Sequence, residues 1–212
     1  MRRFFTPYSI VLMKKKAAPF EADVSINFKG INQKNINQKT KIRNEVKRLK
    51  SQLSEADLRQ RSARVWAQIE TNMRFRHADV VLLYWSMPSE VFTHDFVKHY
   101  SKSKTIILPV VDDNRLRLVP FEGEQFLRRN ALMNLYEPQG SDYRFPEKID
   151  LAIVPGVAFD RNNHRIGRGK GYYDRLLPQL DTYSIGVCFD FQLLDAIPYD
   201  ENDVIMNEVV SD

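Results

Sequence analysis

The chain has 212 residues, 43% hydrophobic and 28% charged, the balance of an ordinary globular protein. This composition excludes a wholly disordered chain, a collagen and a coiled coil, and no stretch approaches the ~20 apolar residues of a membrane span. The single cysteine, Cys188, excludes an intrachain disulfide and fits a reduced, cytoplasmic setting.

The net charge of +5 is unevenly spread. Residues 1–50 carry 13 basic and 3 acidic residues, while residues 51–212 carry 19 basic and 24 acidic ones. The basic pI belongs to the N-terminal end; the remaining body is mildly acidic and offers no general case for nucleic-acid binding.

Residues 1–35 differ in composition from the rest. They hold Arg2, Arg3 and three consecutive lysines, Lys14 to Lys16, and lead into an Asn/Gln/Lys-rich run. The apolar run at residues 8–13 is too short for a secretory signal. This stretch reads as a disordered extension or an upstream start, with an organelle transit peptide as the alternative. Residues 36–212 read as a single domain.

The predicted elements then alternate. Ile42, Val46, Leu49 and Leu53 recur at helical spacing. Ser54 and Asp57 resemble a capping box that opens a second helix, with Leu58, Val65, Trp66, Ile69 and Met73 facing inward. Residues 80–85 form a short continuous apolar run, a buried strand, followed by a turn at Met87, Pro88 and Ser89 and a helix over 94–101. Residues 105–110 read as a second buried strand and 116–121, which alternate, as a more exposed one. Residues 151–154 and 184–189 are further buried strands, a helix spans 171–180, and residues 204–210 supply an edge strand. Buried runs alternating with helices predict an α/β fold: an open layered sheet, mostly parallel, flanked by helices in a Rossmann-like α/β/α arrangement.

The chemistry is concentrated in residues 150–177. Gly167, Gly169 and Gly171 alternate with Arg168 and Lys170 ahead of a predicted helix. Alternating glycines let backbone N–H groups converge on one point, the helix start adds free N–H groups, and the two cations add charge. The pattern describes an anion cradle, most simply for phosphate. It is neither a Walker A motif, since Lys170 precedes Gly171 rather than Ser or Thr, nor a Gly-x-Gly-x-x-Gly fingerprint. Asp174, in the first turn of that helix, reads equally as a dipole partner or as a ligand for Mg²⁺ on phosphate oxygens.

Pro155-Gly156-Val157-Ala158-Phe159-Asp160 followed by Arg165-Ile166-Gly167-Arg168-Gly169-Lys170-Gly171-Tyr172-Tyr173-Asp174 resembles the 5-formyltetrahydrofolate cyclo-ligase (methenyltetrahydrofolate synthetase) family. The resemblance runs from about residue 39 to 210, with further landmarks at residues 83–90, 186–190 and 198–203. It implies conversion of 5-formyltetrahydrofolate to 5,10-methenyltetrahydrofolate with ATP and Mg²⁺, by phosphorylation of the formyl oxygen and ring closure. It implies Arg168 and Lys170 as catalytic residues. ATP contacts fall on Lys39, Arg43, Arg165, Ile166 and the 167–171 loop with Tyr172 and Tyr173. Folate contacts fall on Trp85, Glu90, residues 168–171 and Tyr172, and Mg²⁺ falls on Asp174 and Asp203. Lys39 and Arg43 lie on one helix face by their i,i+4 spacing, and a solvated basic face is the other reading. Asp200 and Glu201 compete with Asp203, and Trp85 either packs on the pterin or belongs to the core. The implied partner is the small-molecule folate; no nucleic-acid or membrane partner is expected, and the chain is expected to act as a monomer.

Two rivals stand beside this reading. A sugar-phosphate isomerase on a similar scaffold would use the same loop without ATP, and an anionic-surface binder would work through residues 1–50. Cys188 reads as buried packing, and the four histidines show no metal-ligand spacing, His164 reading as an exposed loop residue.

Overall fold

The computed structural model describes residues 33–130 and 135–212; the expectations for the N-terminal 32 residues lie outside the described residues. Helix α1 (Gln33–Lys50) leads into α2 (Glu55–Thr71) and the short α3 (Met73–His77). Strand β1 (Val80–Leu82) is followed by α4 (His94–Tyr100), then β2 (Thr105–Asp112) and β3 (Arg115–Pro120). A hairpin, β4 (Leu127–Asn130) and β5 (Leu135–Pro138), precedes β6 (Leu151–Pro155), β7 (Ala158–Asp160) and β8 (Arg165–Ile166). Helix α5 (Tyr172–Leu176), β9 (Tyr183–Cys188), β10 (Leu193–Leu194) and β11 (Glu208–Ser211) complete the chain.

The main sheet has the order β11-β9-β6-β1-β2-β3. Every pair in it is parallel except β2–β3. The chain winds outward from β1 to β3 and then resumes on the other side of β1 with β6, so the order reverses between β1 and β6. In such open sheets the C-terminal strand ends on either side of that reversal leave a crevice.

Strand alternation divides the core. Val81, Leu83, Ile106, Leu108 and Ile153 face α2, α3 and α4 and meet Val65, Ile69, Phe75 and Phe96. Leu82, Ile107, Ala152 and Val154 face the other way and meet Leu176 and Leu177. Helix α1 packs Val46 on Ala158, Ile166 and Ile197, over a small sheet ordered β10-β7-β8. The expected layered, mostly parallel sheet with helices on both faces is present.

Local expectations fare unevenly. The capping box forms: Asp57 N donates to Ser54 Oγ at 3.1 Å and Ser54 N to Asp57 Oδ2 at 3.0 Å. Met73, expected inward, is 59% exposed. The helix breaks at Asn72, whose side chain accepts from Arg74 N and starts α3, and Phe75 takes the core position instead. The helix expected over 171–180 is α-helical for only five residues and continues as a 3-10 turn over Leu177–Gln179, with Pro178 inside it. The expected strand over 80–85 is paired only to Leu82; Leu83 N still donates to Ile107 O. Leu53 lies past the end of α1, and of the predicted apolar stripe Val46 is the buried member.

Candidate active site

A cleft of about 450 Å³ opens at the reversal point between β1 and β6. Tyr84 and Trp85 beyond β1 and Pro155 and Gly156 at the end of β6 form its floor. The glycine loop, α5, Val111, Leu116 and β5 line its walls.

The segment after β1 is held by side-chain bonds. Thr93 Oγ1 donates to Tyr84 O and accepts from Ser86 N, while Thr93 N donates to Ser86 Oγ. All three residues are buried. This lock presents Trp85 and the turn that carries Glu90. Trp85 stacks on His94 at 4.0 Å between centroids and on Phe121 at 5.6 Å, and also lines the cleft. Trp85 thus packs against the core while keeping part of its surface on the cleft.

The glycine loop needs its glycines. Gly169 (φ +98°) and Gly171 (φ +63°) occupy backbone conformations that side-chain-bearing residues rarely adopt. Arg168 leaves this loop to meet Glu90: Nη2 lies 2.9 Å and Nε 3.2 Å from Oε1. The cation read as phosphate-binding thus touches the carboxylate read as folate-binding. Lys170 stands exposed at the rim. Because α5 is so short, the backbone loop and these cations, rather than a long helix dipole, supply the positive character.

Arg165 is buried and donates from Nη2 to Asp174 Oδ1 at 2.8 Å. Its Nε is buried without a hydrogen-bond partner among the described residues. Its guanidinium also lies over the Tyr173 ring, 5.5 Å from the centroid. Burial pushes the Tyr173 hydroxyl far above its ordinary range, so it stays a neutral phenol. Tyr172 donates to Asp113 O at 3.1 Å and pins α5 to the β2–β3 turn. Ile166 does not line the cleft: its side chain is core, packed with Val46, Ala158 and Ile197. Any contact it makes with a nucleotide is left to its backbone, whose carbonyl accepts from Val157 N.

Behind the loop, α1 brings the remaining predicted residues together. Arg43 Nε donates to Gly167 O at 2.9 Å. Lys39, only 8% exposed, places Nζ 2.8 Å from Asp200 Oδ2 and also on Asp203 Oδ2. Burial alone would lower the Lys39 amine, but the two carboxylates outweigh it and raise it. Burial lowers Arg43, partly opposed by the charge of Asp203. Lys39 and Arg43 are therefore not a solvated basic face. They do not line the cleft itself. Val204 N donates to Asp174 Oδ1 at 3.4 Å, which sets the neighbour of Asp203 against Asp174.

Several residues here carry no sequence signal. Glu137 on β5 is a buried carboxylate on the cleft wall, accepting from Val111 N and Asn130 Nδ2. His164, expected exposed, is buried: Nδ1 lies 2.9 Å from the buried Asp160 and the ring stacks on Tyr199 at 3.9 Å. The tight β7–β8 turn folds it back onto Asp160. Cys188 is buried, as expected, which pushes its thiol up to about 12.

The model of the 5-formyltetrahydrofolate cyclo-ligase family matches residues 35–212. The mouse 5-formyltetrahydrofolate cyclo-ligase is 28% identical over 185 residues, covering 80% of this chain and 91% of that protein. The Escherichia coli K12 protein of the same name is 29% identical over 143 residues, covering 63% and 78%. The NMR structure of Aquifex aeolicus 5,10-methenyltetrahydrofolate synthetase superposes with a TM-score of 0.73 at 33% identity, covering 82% of this chain and 89% of that one. A family match over this span, on a chain whose glycine loop lies at the sheet's reversal point, places the protein in the 5-formyltetrahydrofolate cyclo-ligase family of enzymes.

Proposed function

We propose that the cleft converts 5-formyltetrahydrofolate to 5,10-methenyltetrahydrofolate at the expense of ATP, in the cytoplasm and as a monomer. The observation that carries this is the Arg168–Glu90 contact, which joins the phosphate-side loop to the folate-side turn. Phosphoryl transfer between two bound molecules requires such a meeting point, because positioning and charge neutralisation do most of the work.

The formyl oxygen attacks the γ-phosphoryl group, forming an O–P bond as the bond to ADP breaks. The neighbouring folate nitrogen then attacks the formyl carbon and gives up its proton to solvent, the C–O bond breaks, and phosphate leaves. Arg168 and Lys170 neutralise the transferring group, and the loop N–H groups orient it. Lys39 and Arg43 hold the nucleotide end from α1. Trp85 and Tyr172 pack the pterin, and Glu90 accepts its polar edge.

The donor set fits Mg²⁺. Asp174 and Asp203 are hard oxygen donors from neighbouring segments, and Mg²⁺ takes one or two carboxylates together with substrate phosphates. When bound, the ion would neutralise phosphate charge.

An absorbance assay of the methenyl product tests the reading. Product that requires both ATP and 5-formyltetrahydrofolate is expected. Folded protein that forms none would redirect the site to another phosphorylated ligand, such as a sugar phosphate.

A further inference from the structure

Helix α1 carries a stripe of Lys39, Arg43, Val46 and Lys50, spaced 4, 3 and 4 residues apart, the spacing of one helix face. Three members are cations, and each is used. Lys39 reaches Asp200 and Asp203, and Arg43 reaches Gly167 O. Lys50, in the last turn, donates from Nζ to Ser89 O at 2.6 Å. Its ammonium also stands 5.7 Å over the ring of the fully buried Phe189.

Ser89 belongs to the turn that carries Glu90. Glu90 N donates to Met87 O and Met87 N to Glu90 Oε2, so this turn is closed on itself. Lys50 ties it to α1, and the pair of Glu90 with Arg168 ties it to the glycine loop. One rigid helix about 16 Å long between Lys39 and Lys50 thus spans the nucleotide end and the folate end.

We propose that Lys50 is a positioning residue for the reaction, holding the 87–90 turn so that Glu90 meets the folate beside Arg168. The proposal rests on the reading of Glu90 as a folate ligand. The charge of Lys50 matters to it, because a charge-assisted bond to Ser89 O is stronger than one from a neutral amine. Burial pushes the Lys50 amine down to about 8; the Glu90 carboxylate and the Cys188 sulfur favour its charged form, and Arg168 disfavours it. As pH rises through about 8 the amine loses its proton, and the bond to Ser89 O loses its charge assistance and weakens.

Steady-state kinetics of Lys50→Met, Lys50→Arg and Glu90→Gln test this. Lys50→Met is expected to raise KM for 5-formyltetrahydrofolate at least fivefold with KM for ATP within twofold, and Lys50→Arg to restore it. In the wild type that KM is expected to rise at least threefold from pH 7 to 9, a rise absent from Lys50→Arg. Lys50→Met within twofold of wild type, beside a raised KM in Glu90→Gln, would overturn the proposal and leave the Glu90 reading intact. Equal rises in both KM values would mark Lys50 as merely structural and overturn it too. Glu90→Gln without effect would overturn the Glu90 reading and this proposal with it.

Discussion

Arg168 and Glu90, 78 residues apart in sequence, meet with 2.9 Å between Nη2 and Oε1. Removing either side should therefore affect both substrates. Arg168→Ala is expected to cut turnover at least tenfold, and Glu90→Gln to raise KM for the folate several-fold. The double variant should lose less than the product of the two effects, since coupled residues are not additive. Strict multiplicativity in the kinetic cycle would mean that the contact has no part in catalysis.

Lys170 is exposed and sits on a loop, so its replacement should leave folding untouched. Lys170→Ala is expected to lower turnover tenfold or more with an unchanged circular dichroism spectrum and melting temperature. Wild-type rates would remove it from the phosphate cradle.

Asp174→Asn should act twice. The side chain of Arg165 is 3% exposed and that of Asp174 19%, so neutralising the acid leaves a buried guanidinium without its counter-charge. Breaking such a pair costs about 3–5 kcal/mol when one partner is deleted, and less here because the amide oxygen still accepts. A melting temperature lower by several degrees is expected, with a Mg²⁺ titration midpoint moved upward. A Mg²⁺ titration that superposes on the wild type would take Asp174 out of the metal shell.

Gly169→Ala tests backbone shape in isolation. An added Cβ meets nothing closer than Arg43 Nη2 at 3.7 Å, so space is available, but φ is +98°. The strain, about 1–2 kcal/mol, should be relieved by moving the loop. A raised KM for ATP with little change in melting temperature is the expected result of steady-state and thermal measurements.

Stability should fall in acid. Burial opposes ionisation of Asp160, but His164 and the N–H groups of His164, Ile197 and Asn162 outweigh it and hold its carboxyl below the ordinary value. Burial likewise opposes ionisation of Asp200, but Lys39 and the N–H of Asn202 outweigh it and hold its carboxyl low. A carboxylate with a lowered folded-state value contributes stability above its unfolded value, about 3.9, and loses it as pH falls through the folded one. The melting temperature should be level between pH 5 and 7 and drop below about pH 4. Asp160→Asn should flatten that acid limb, and a limb of wild-type steepness in the variant would assign it to other carboxylates.

Much of the fold and the central loop was legible because local physics decided it. Residues 151–154 form a short, wholly apolar run bounded by Pro155 and Gly156, which reads as a buried strand, and the capping box at Ser54 spans only four residues. The alternating glycines mark a loop of unusual backbone on any scaffold, and Gly169 and Gly171 take positive φ. The β4–β5 hairpin and the small β10-β7-β8 sheet were not legible, because strands of two to four residues leave no periodicity to read. The helix after the loop was overread, since leucines beyond Tyr173 satisfy a 3-10 turn as well as an α-helix.

The sequence by itself therefore determined the layered α/β class, the glycine loop with its two cations, and the resemblance that named the family. Only the tertiary structure decided which charges act. Lys39, Lys41, Lys47 and Lys50 look alike along α1, yet the packing of Val46 on the small sheet turns Lys39, Arg43 and Lys50 inward and leaves Lys41 and Lys47 exposed. Asp200 joins Asp203 on Lys39, and Arg168 finds Glu90, for the same reason: a side chain's partner is set by strand order and helix rotation over more than seventy residues of separation, and no local pattern encodes that distance.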